Sequence, residues 1–176
     1  MEIKMNEVLK AIHDRRSIRA YKPELPTEAD IRAVMQAGIE APTGRNSQSV
    51  IVLAITDRSI RDSYSRANAA VMGTDTDPFY GAPVILAVLV NKSAPCAAYD
   101  GPIALENMML AAHSLGLGSC WIHRAKQVFE KDEWRQLLAK LGIEGEYEGV
   151  GNLALGYIDG DYPPEKAKNE GRMFFI

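Results

Sequence analysis

Val8, Leu9 and Ile12 share one face of a short helix that Asn6 can cap, and Ile31, Val34, Met35 and Ile39 form the apolar stripe of a second. Pro23 and Pro26 break the chain between them, Thr27 offers the second cap, and Asp30 sits in the first turn, where the helix dipole favours a carboxylate. Pro42 predicts that this helix ends just before it. The pattern then changes. VIVLAIT (Val50–Thr56) and VILAVLV (Val84–Val90) are β-branched apolar runs that read as buried strands. Between them, Arg58–Met72 reads as a third helix and Gly73–Pro83, rich in Gly, Asp and Pro, as a loop.

In the second half, Asp100 can cap a helix with Pro102 in its first turn, and Ile103–Leu115 is apolar on nearly every side. A helix of that kind is surrounded by protein, so a second layer of cover is expected from another subunit. Gly116 reads as its C-terminal cap. Ser119–Ile122 is expected to be a short strand, Gln127–Leu141 a charged outer helix and Gly149–Tyr157 a third buried strand. The apolar end, Arg172–Ile176, is expected to pair as a strand in this subunit or its partner, because exposed it would be a liability in water. The pattern predicts an α+β fold with a central mixed sheet flanked by helices, in one domain spanning residues 1–176.

Composition adds mostly exclusions. The chain is 47% hydrophobic and 24% charged, ordinary for a soluble globular protein, and its net charge of -3 argues against nucleic acid or an anionic membrane surface as partner. No apolar run is long enough to cross a bilayer. The start lacks a signal-like segment and the two cysteines, Cys96 and Cys120, are far apart, so a reducing, cytoplasmic setting is expected. His13, His113 and His123 are scattered, with no zinc-ligand spacing, and no metal is expected.

Against that acidic background, HDRRSIRAYKP (residues 13–23) gathers Arg15, Arg16 and Arg19 around Ser17. Guanidinium forks and a hydroxyl suit a phosphate, while cations at a helix C-terminus are also favourable without any ligand; the fragment alone leaves both readings open. APTGRNSQS (Ala41–Ser49) offers Thr43, Asn46 and Gln48 as hydrogen-bonding groups, or is an ordinary loop. LGLGSCWI lacks a third glycine and ends a helix instead of opening one, so it is no dinucleotide fingerprint. Ser17 has no nucleophile elbow, and Cys120 sits in an apolar strand.

Taken together these stretches resemble the nitroreductase family of FMN-dependent oxidoreductases. RRSIRAYKPELP is similar to its N-terminal R-x-S-x-R/K motif, APTGRNSQS to its A-P-S/T-x-x-N-x-Q loop, NMMLAAHSLGLGSCWI to its interface helix and following strand, and LALGYIDGDYPPEKAK to its closing G-Y…P…K element. The resemblance implies an intertwined homodimer whose C-terminal segment reaches the partner, with two FMN sites at the subunit interface. Arg15 would hold the FMN phosphate with Lys166 and Lys168, while Arg16 and Ser17 would contact the phosphate, ribityl chain or ring edge. Arg19 would lie near flavin N1 and O2, where a fixed cation favours the reduced ring. Pro42, Thr43, Asn46 and Gln48 would come from the partner's loop, with Asn46 the foremost hydrogen-bonding candidate. Asn68 would lie at the isoalloxazine edge, and main-chain groups of Trp121, Ile122, His123 and Arg124 would face N5 and O4, with the His123 N–H on N5.

Two positions depart from the family pattern. Gln48-Ser49-Val50 stands where Q-P-W is frequent, and His123-Arg124 where an acidic residue and a glycine are frequent. The implied reaction is hydride transfer from NADH or NADPH, through FMN, to a nitroaromatic, quinone or similar small-molecule acceptor by a ping-pong route. Because the flavin performs the chemistry, no catalytic side chain is named. A flavin storage or sensor protein, or specialised dehalogenation or dehydrogenation, would use the same contacts. Tyr64, Phe79 and Tyr80 are candidates to cover the substrate.

Overall fold

The computed structural model describes residues 5–176. Its elements run α1 (Glu7–Asp14), α2 (Glu28–Ile39), β1 (Val50–Ile55), α3 (Arg58–Met72), β2 (Val84–Asn91), α4 (Ala97–Ser114), β3 (Gly118–Ile122), α5 (Ala125–Phe129), α6 (Asp132–Lys140) and β4 (Tyr147–Gly156). The expected caps are present: Asn6 Oδ1 accepts from Leu9 N–H, and Thr27 Oγ1 from Asp30 N–H. Gly116 adopts a φ of 72° just past α4. Its N–H bonds the His113 carbonyl and the Leu117 N–H that of Ala112, the paired pattern that lets a helix end abruptly.

The four strands lie in the order β1-β2-β4-β3, and every strand pair is antiparallel. The expected mixed sheet is thus corrected to an antiparallel one. β2 and β3 do run in the same direction across the α4 crossover, but β4 inserts between them and pairs antiparallel with both. Helices cover both faces, which is why β2 is apolar without a break from Val84 to Val90 rather than alternating. Ile85, Ala87 and Leu89 face a core shared with Tyr64, Phe79, Phe129 and Trp134, while Leu86 and Val88 face Val34, Leu105 and Met108.

Two further expectations change and a third is narrowed to the partner subunit. The helix assigned to Gln127–Leu141 is two helices, with Lys131 extended between them (φ −80°, ψ 141°). On one continuous helix Phe129 and Trp134 would point about 140° apart. The break lets both rings pack on Tyr64, at centroid distances of 5.8 and 4.8 Å. α4 starts at Ala97, so Asp100 is no cap and Pro102 lies inside the helix. Arg172–Ile176 forms no strand with the described residues of this chain, and Phe174 and Phe175 are exposed. Among the described residues no helix is long and apolar enough to cross a membrane.

Candidate functional site

Beyond α1 the chain turns extended at Arg15 (ψ 135°). Ile18 N–H then bonds the Ser119 carbonyl, forming a parallel bridge between Ser17 and Ser119 on the outer edge of β3. The approach is close because residue 118 is glycine: a Cβ there would stand 2.9 Å from Ile18 Cγ2. In an extended segment alternate residues share a side, so Ile18 is buried while Arg15, Ser17 and Arg19 turn outward together. The segment leaving β4 is tied to the same stretch, through Lys22 N–H on the Tyr157 carbonyl and Asp159 N–H on the Ala20 carbonyl.

Between these segments lies a cavity of about 210 Å³ lined by Arg15, Arg16, Ser17, Arg19, Pro163, Pro164, Lys166 and Lys168. Two segments about 150 residues apart thus bring five cations together, with no acidic residue in the lining. Larger cavities exist, but their arginines are already committed. In the 310 Å³ cavity Arg61 pairs with Asp77 and Asp62, and in the 430 Å³ groove Arg32 pairs with Glu28.

The arginines of the small cavity are not. Arg15 Nε and Arg16 Nε are buried and have no hydrogen-bond partner, and the nearest acid to Arg15, Glu106, stands at 3.9 Å. A buried charged donor left without an acceptor is costly, so this arrangement fits a ligand that brings several anionic oxygens. Arg16 has a structural task as well. Its Nη1 donates to the His13 carbonyl at 2.6 Å and the Arg15 carbonyl at 3.0 Å, capping the end of α1. Arg19 lies over the Tyr80 ring at 5.8 Å and donates from Nη1 to the Ser17 carbonyl at 3.4 Å, and the neighbouring Tyr80 favours its charged form. Burial pushes the Cys120 thiol up, opposed by the nearby Arg19 charge, so it stays a neutral core group.

The parallel bridge sets Arg19 alongside the end of β3, where Trp121 is half exposed beside His123 (ring centroids 5.7 Å apart). Arg124 follows in the left-handed region, φ 79° and ψ 7°, a conformation that costs a side-chain-bearing residue free energy. The turn is braced from behind. Asn152, fully buried, donates to the Ile122 and His123 carbonyls, both at 3.3 Å, and accepts from Tyr64 Oη at 2.6 Å. Asn68 is fully buried too, donating to the Tyr64 carbonyl and accepting from Asn152. It lies behind the wall formed by residues 121–124 rather than on its surface. Tyr64 and Phe79 are likewise core residues, not covers; of the three aromatic candidates only Tyr80 is exposed.

The loop holding Pro42, Thr43, Asn46 and Gln48 is elsewhere in this chain. Asp100 anchors it, accepting from Gly44 N–H (2.9 Å), Ser49 Oγ (2.6 Å) and Ser47 Oγ (3.4 Å). Burial raises this carboxyl, but the three hydrogen bonds outweigh burial and hold it below its ordinary value. Arg45, Asn46 and Gln48 all take positive φ, so the loop is strained at three places. Asp100 lies near the start of α4, whereas the cavity lies against its later part, where Glu106 nears Arg15 and His113 meets Tyr162. No residue of the loop lines the cavity, so one chain does not bring loop and cavity together. Asp100 read as a cap in the sequence, and the only sign of Asn152 was a polar residue within an apolar run.

The model of the nitroreductase family matches this chain over residues 12–77 and 73–157. A relative from Archaeoglobus fulgidus, provisionally named NADH dehydrogenase/NAD(P)H nitroreductase, is 31% identical over 156 residues, covering 87% of this chain and 86% of its own. The FMN reductase [NAD(P)H] of Bacillus subtilis is 30% identical over 132 residues, 65% of this chain and 53% of that protein. Among solved structures, a nitroreductase from Bacteroides fragilis with bound FMN superposes with a TM-score of 0.87 at 30% identity, covering 98% of this chain and 100% of that one.

Proposed function

The chain belongs to the nitroreductase family, and on that premise we propose that it is an FMN-dependent NAD(P)H oxidoreductase acting on nitroaromatic, quinone or similar acceptors. One observation carries this reading: buried, partnerless Arg15 and Arg16 Nε atoms converge with Lys166 and Lys168 on one small cavity. The donor set fits the FMN phosphate, and the similar Bacteroides fragilis protein was solved with FMN bound. When bound, FMN supplies hydride transfer, taking a hydride from NADH or NADPH and passing it to an acceptor that replaces the departed donor.

The protein's share is to bind, orient and tune. Arg15, with Lys166 and Lys168, would neutralise the phosphate, and Arg16 would add its free Nε–H while capping α1. Ser17, in the cavity lining, would lie between the phosphate and the ring. Arg19, steadied by Tyr80, would present a fixed positive charge at the ring's N1/O2 edge, and the main chain of Trp121–Arg124 would form the wall facing N5 and O4. Using main-chain groups there tolerates His123 and Arg124 in place of the frequent acidic–glycine pair, since Arg124 already takes a glycine-like φ.

A second copy would complete the site. α1 leaves Val8, Leu9 and Ile12 exposed, α4 leaves Tyr99 and Ile103, and the tail leaves Met173–Ile176 exposed. Among the described residues β1 is an edge strand, and the partner's Arg172–Ile176 would add to it. The partner's Asn46 loop would then reach the flavin, at an interface that buries α4. Free thiols at Cys96 and Cys120 suit a reducing, cytoplasmic compartment.

Size-exclusion chromatography of the purified protein, followed at the flavin absorbance bands, tests this directly. The expected species has twice the 19.4 kDa chain mass, carries one FMN per chain, bleaches with NAD(P)H and regains colour with a nitro or quinone acceptor. A colourless protein with no affinity for FMN would overturn the reading, and a yellow one without turnover would leave a storage or sensor role. Arg19→Ala is expected to lower the bound flavin's midpoint potential by roughly 20 mV, the equivalent of about 1 kcal/mol on a two-electron couple. An unchanged potential would put the charge elsewhere.

A further inference from the structure

Tyr162 lies within the closing LALGYIDGDYPPEKAK stretch without a role assigned to it, yet its hydroxyl joins three parts of the chain. It donates to the Asp14 carbonyl at 3.0 Å, accepts from the Arg16 N–H at 3.1 Å and stands 3.2 Å from His113 Nδ1. A phenol has one proton and two acceptor sites. A carbonyl can only accept, so with that proton on the Asp14 carbonyl, the Arg16 N–H takes one acceptor site and His113 the other. His113 must then carry a proton on Nδ1. A looser tie runs parallel to this one, between His13 Nε2 and Glu165 at 3.6 Å.

The tie lies at the closing point of the cavity. Asp14 and Arg16 flank Arg15, the residue assigned to the phosphate, and Tyr162 directly precedes Pro163 and Pro164 on the way to Lys166 and Lys168. Without the hydroxyl, no other side-chain hydrogen bond among the described residues joins residues 14–19 to residues 159–168; the main-chain bond from Asp159 to Ala20 lies at the far end of that stretch.

We propose that Tyr162 is a positioning residue for phosphate binding, holding the arginine segment and the lysine segment at the separation that lets both meet one phosphate. It rests on the reading of this cavity as the FMN phosphate site. The groups it bonds are part-exposed, so water replaces the lost hydrogen bonds in a phenylalanine variant and the ring contact with His113 remains. The effect is therefore expected on ligand selectivity more than on folding.

The test compares apo protein binding to FMN and to riboflavin, which has the same ring and ribityl chain without the phosphate. Tyr162→Phe is expected to weaken FMN binding about fivefold, the scale of one net hydrogen bond, with riboflavin affinity unchanged. The apo melting temperature reports folding separately and is expected to hold. Arg15→Ala is the benchmark. If Arg15→Ala discriminates FMN from riboflavin and Tyr162→Phe does not, whether because it weakens neither or both equally, the role of Tyr162 is overturned and the phosphate site stands. If neither variant discriminates, the phosphate lies elsewhere and the cavity reading fails with it.

Discussion

Replacing Arg15 with alanine is expected to weaken FMN binding by ~2 kcal/mol, about 30-fold, while riboflavin binding is unchanged. Arg15 sits where the chain leaves α1, its Nε is buried without an acceptor, and its nearest carboxylate stands at 3.9 Å. A phosphate would give that nitrogen its first hydrogen bond in a partly desolvated place, where charge-assisted bonds are stronger than on an open surface. Lys166 and Lys168 are exposed and would act through the field of the cavity more than through fixed geometry. Removing either should cost less than removing Arg15 and should depend more on salt. Fluorescence titration of FMN at two ionic strengths reads both differences, and an Arg15→Ala protein with undiminished FMN affinity would remove the phosphate from this cavity.

Asp100→Ala is expected to lower stability by roughly 3 kcal/mol, or about 10 °C in melting temperature for a chain of this size. The carboxylate is buried and is the sole side-chain acceptor for Gly44 N–H, Ser47 Oγ and Ser49 Oγ, so its loss strands several donors together. It also frees a loop held in positive φ at Arg45, Asn46 and Gln48. FMN affinity should fall with stability if that loop serves the partner's site. The pH dependence follows from the direction of the shift. A carboxyl held below its unfolded value contributes its full stability above the ordinary carboxylate pKa and loses it as the pH falls through the lower, folded value. The contribution is thus intact at neutral pH and disappears only below about pH 4. Asp77 adds to the same acid limb: burial raises its carboxyl, but Ser65, Arg61 and two backbone N–H groups outweigh that and hold it low. Melting temperature measured against pH should show a shallower acid limb in Asp100→Asn than in the parent. Equal limbs would mean that Asp100 gains nothing from its ionised form.

Local signals carried the reading as far as local chemistry reaches. A cap needs only a residue and its neighbours three or four positions on, so Asn6, Thr27 and Gly116 were legible without any tertiary information. β2 was legible as a buried strand from its run of β-branched residues, whereas β1, read as buried for the same reason, is an edge strand in which only Val50 and Ile55 are buried. The arginine cluster was legible as a concentration of cations against an acidic background, but not as a site, since free and committed arginines look alike in a sequence. Arg61 and Arg15 differ only in whether the fold brings an aspartate to them.

The sequence by itself determined most of the elements, their caps, the central apolar strands and the set of residues able to meet a phosphate. The tertiary structure alone decided that β4 inserts between β2 and β3, that the chain breaks at Lys131 so Phe129 and Trp134 both reach Tyr64, and that Asp100 turns inward to anchor a loop. It alone joined Tyr162 to the end of α1 and set Asn152 behind the turn at His123. Each of these depends on a partner tens to more than a hundred residues away. Helical and strand periods arise from the backbone's own repeat and encode only which side of an element a residue faces, never which residue it will find there.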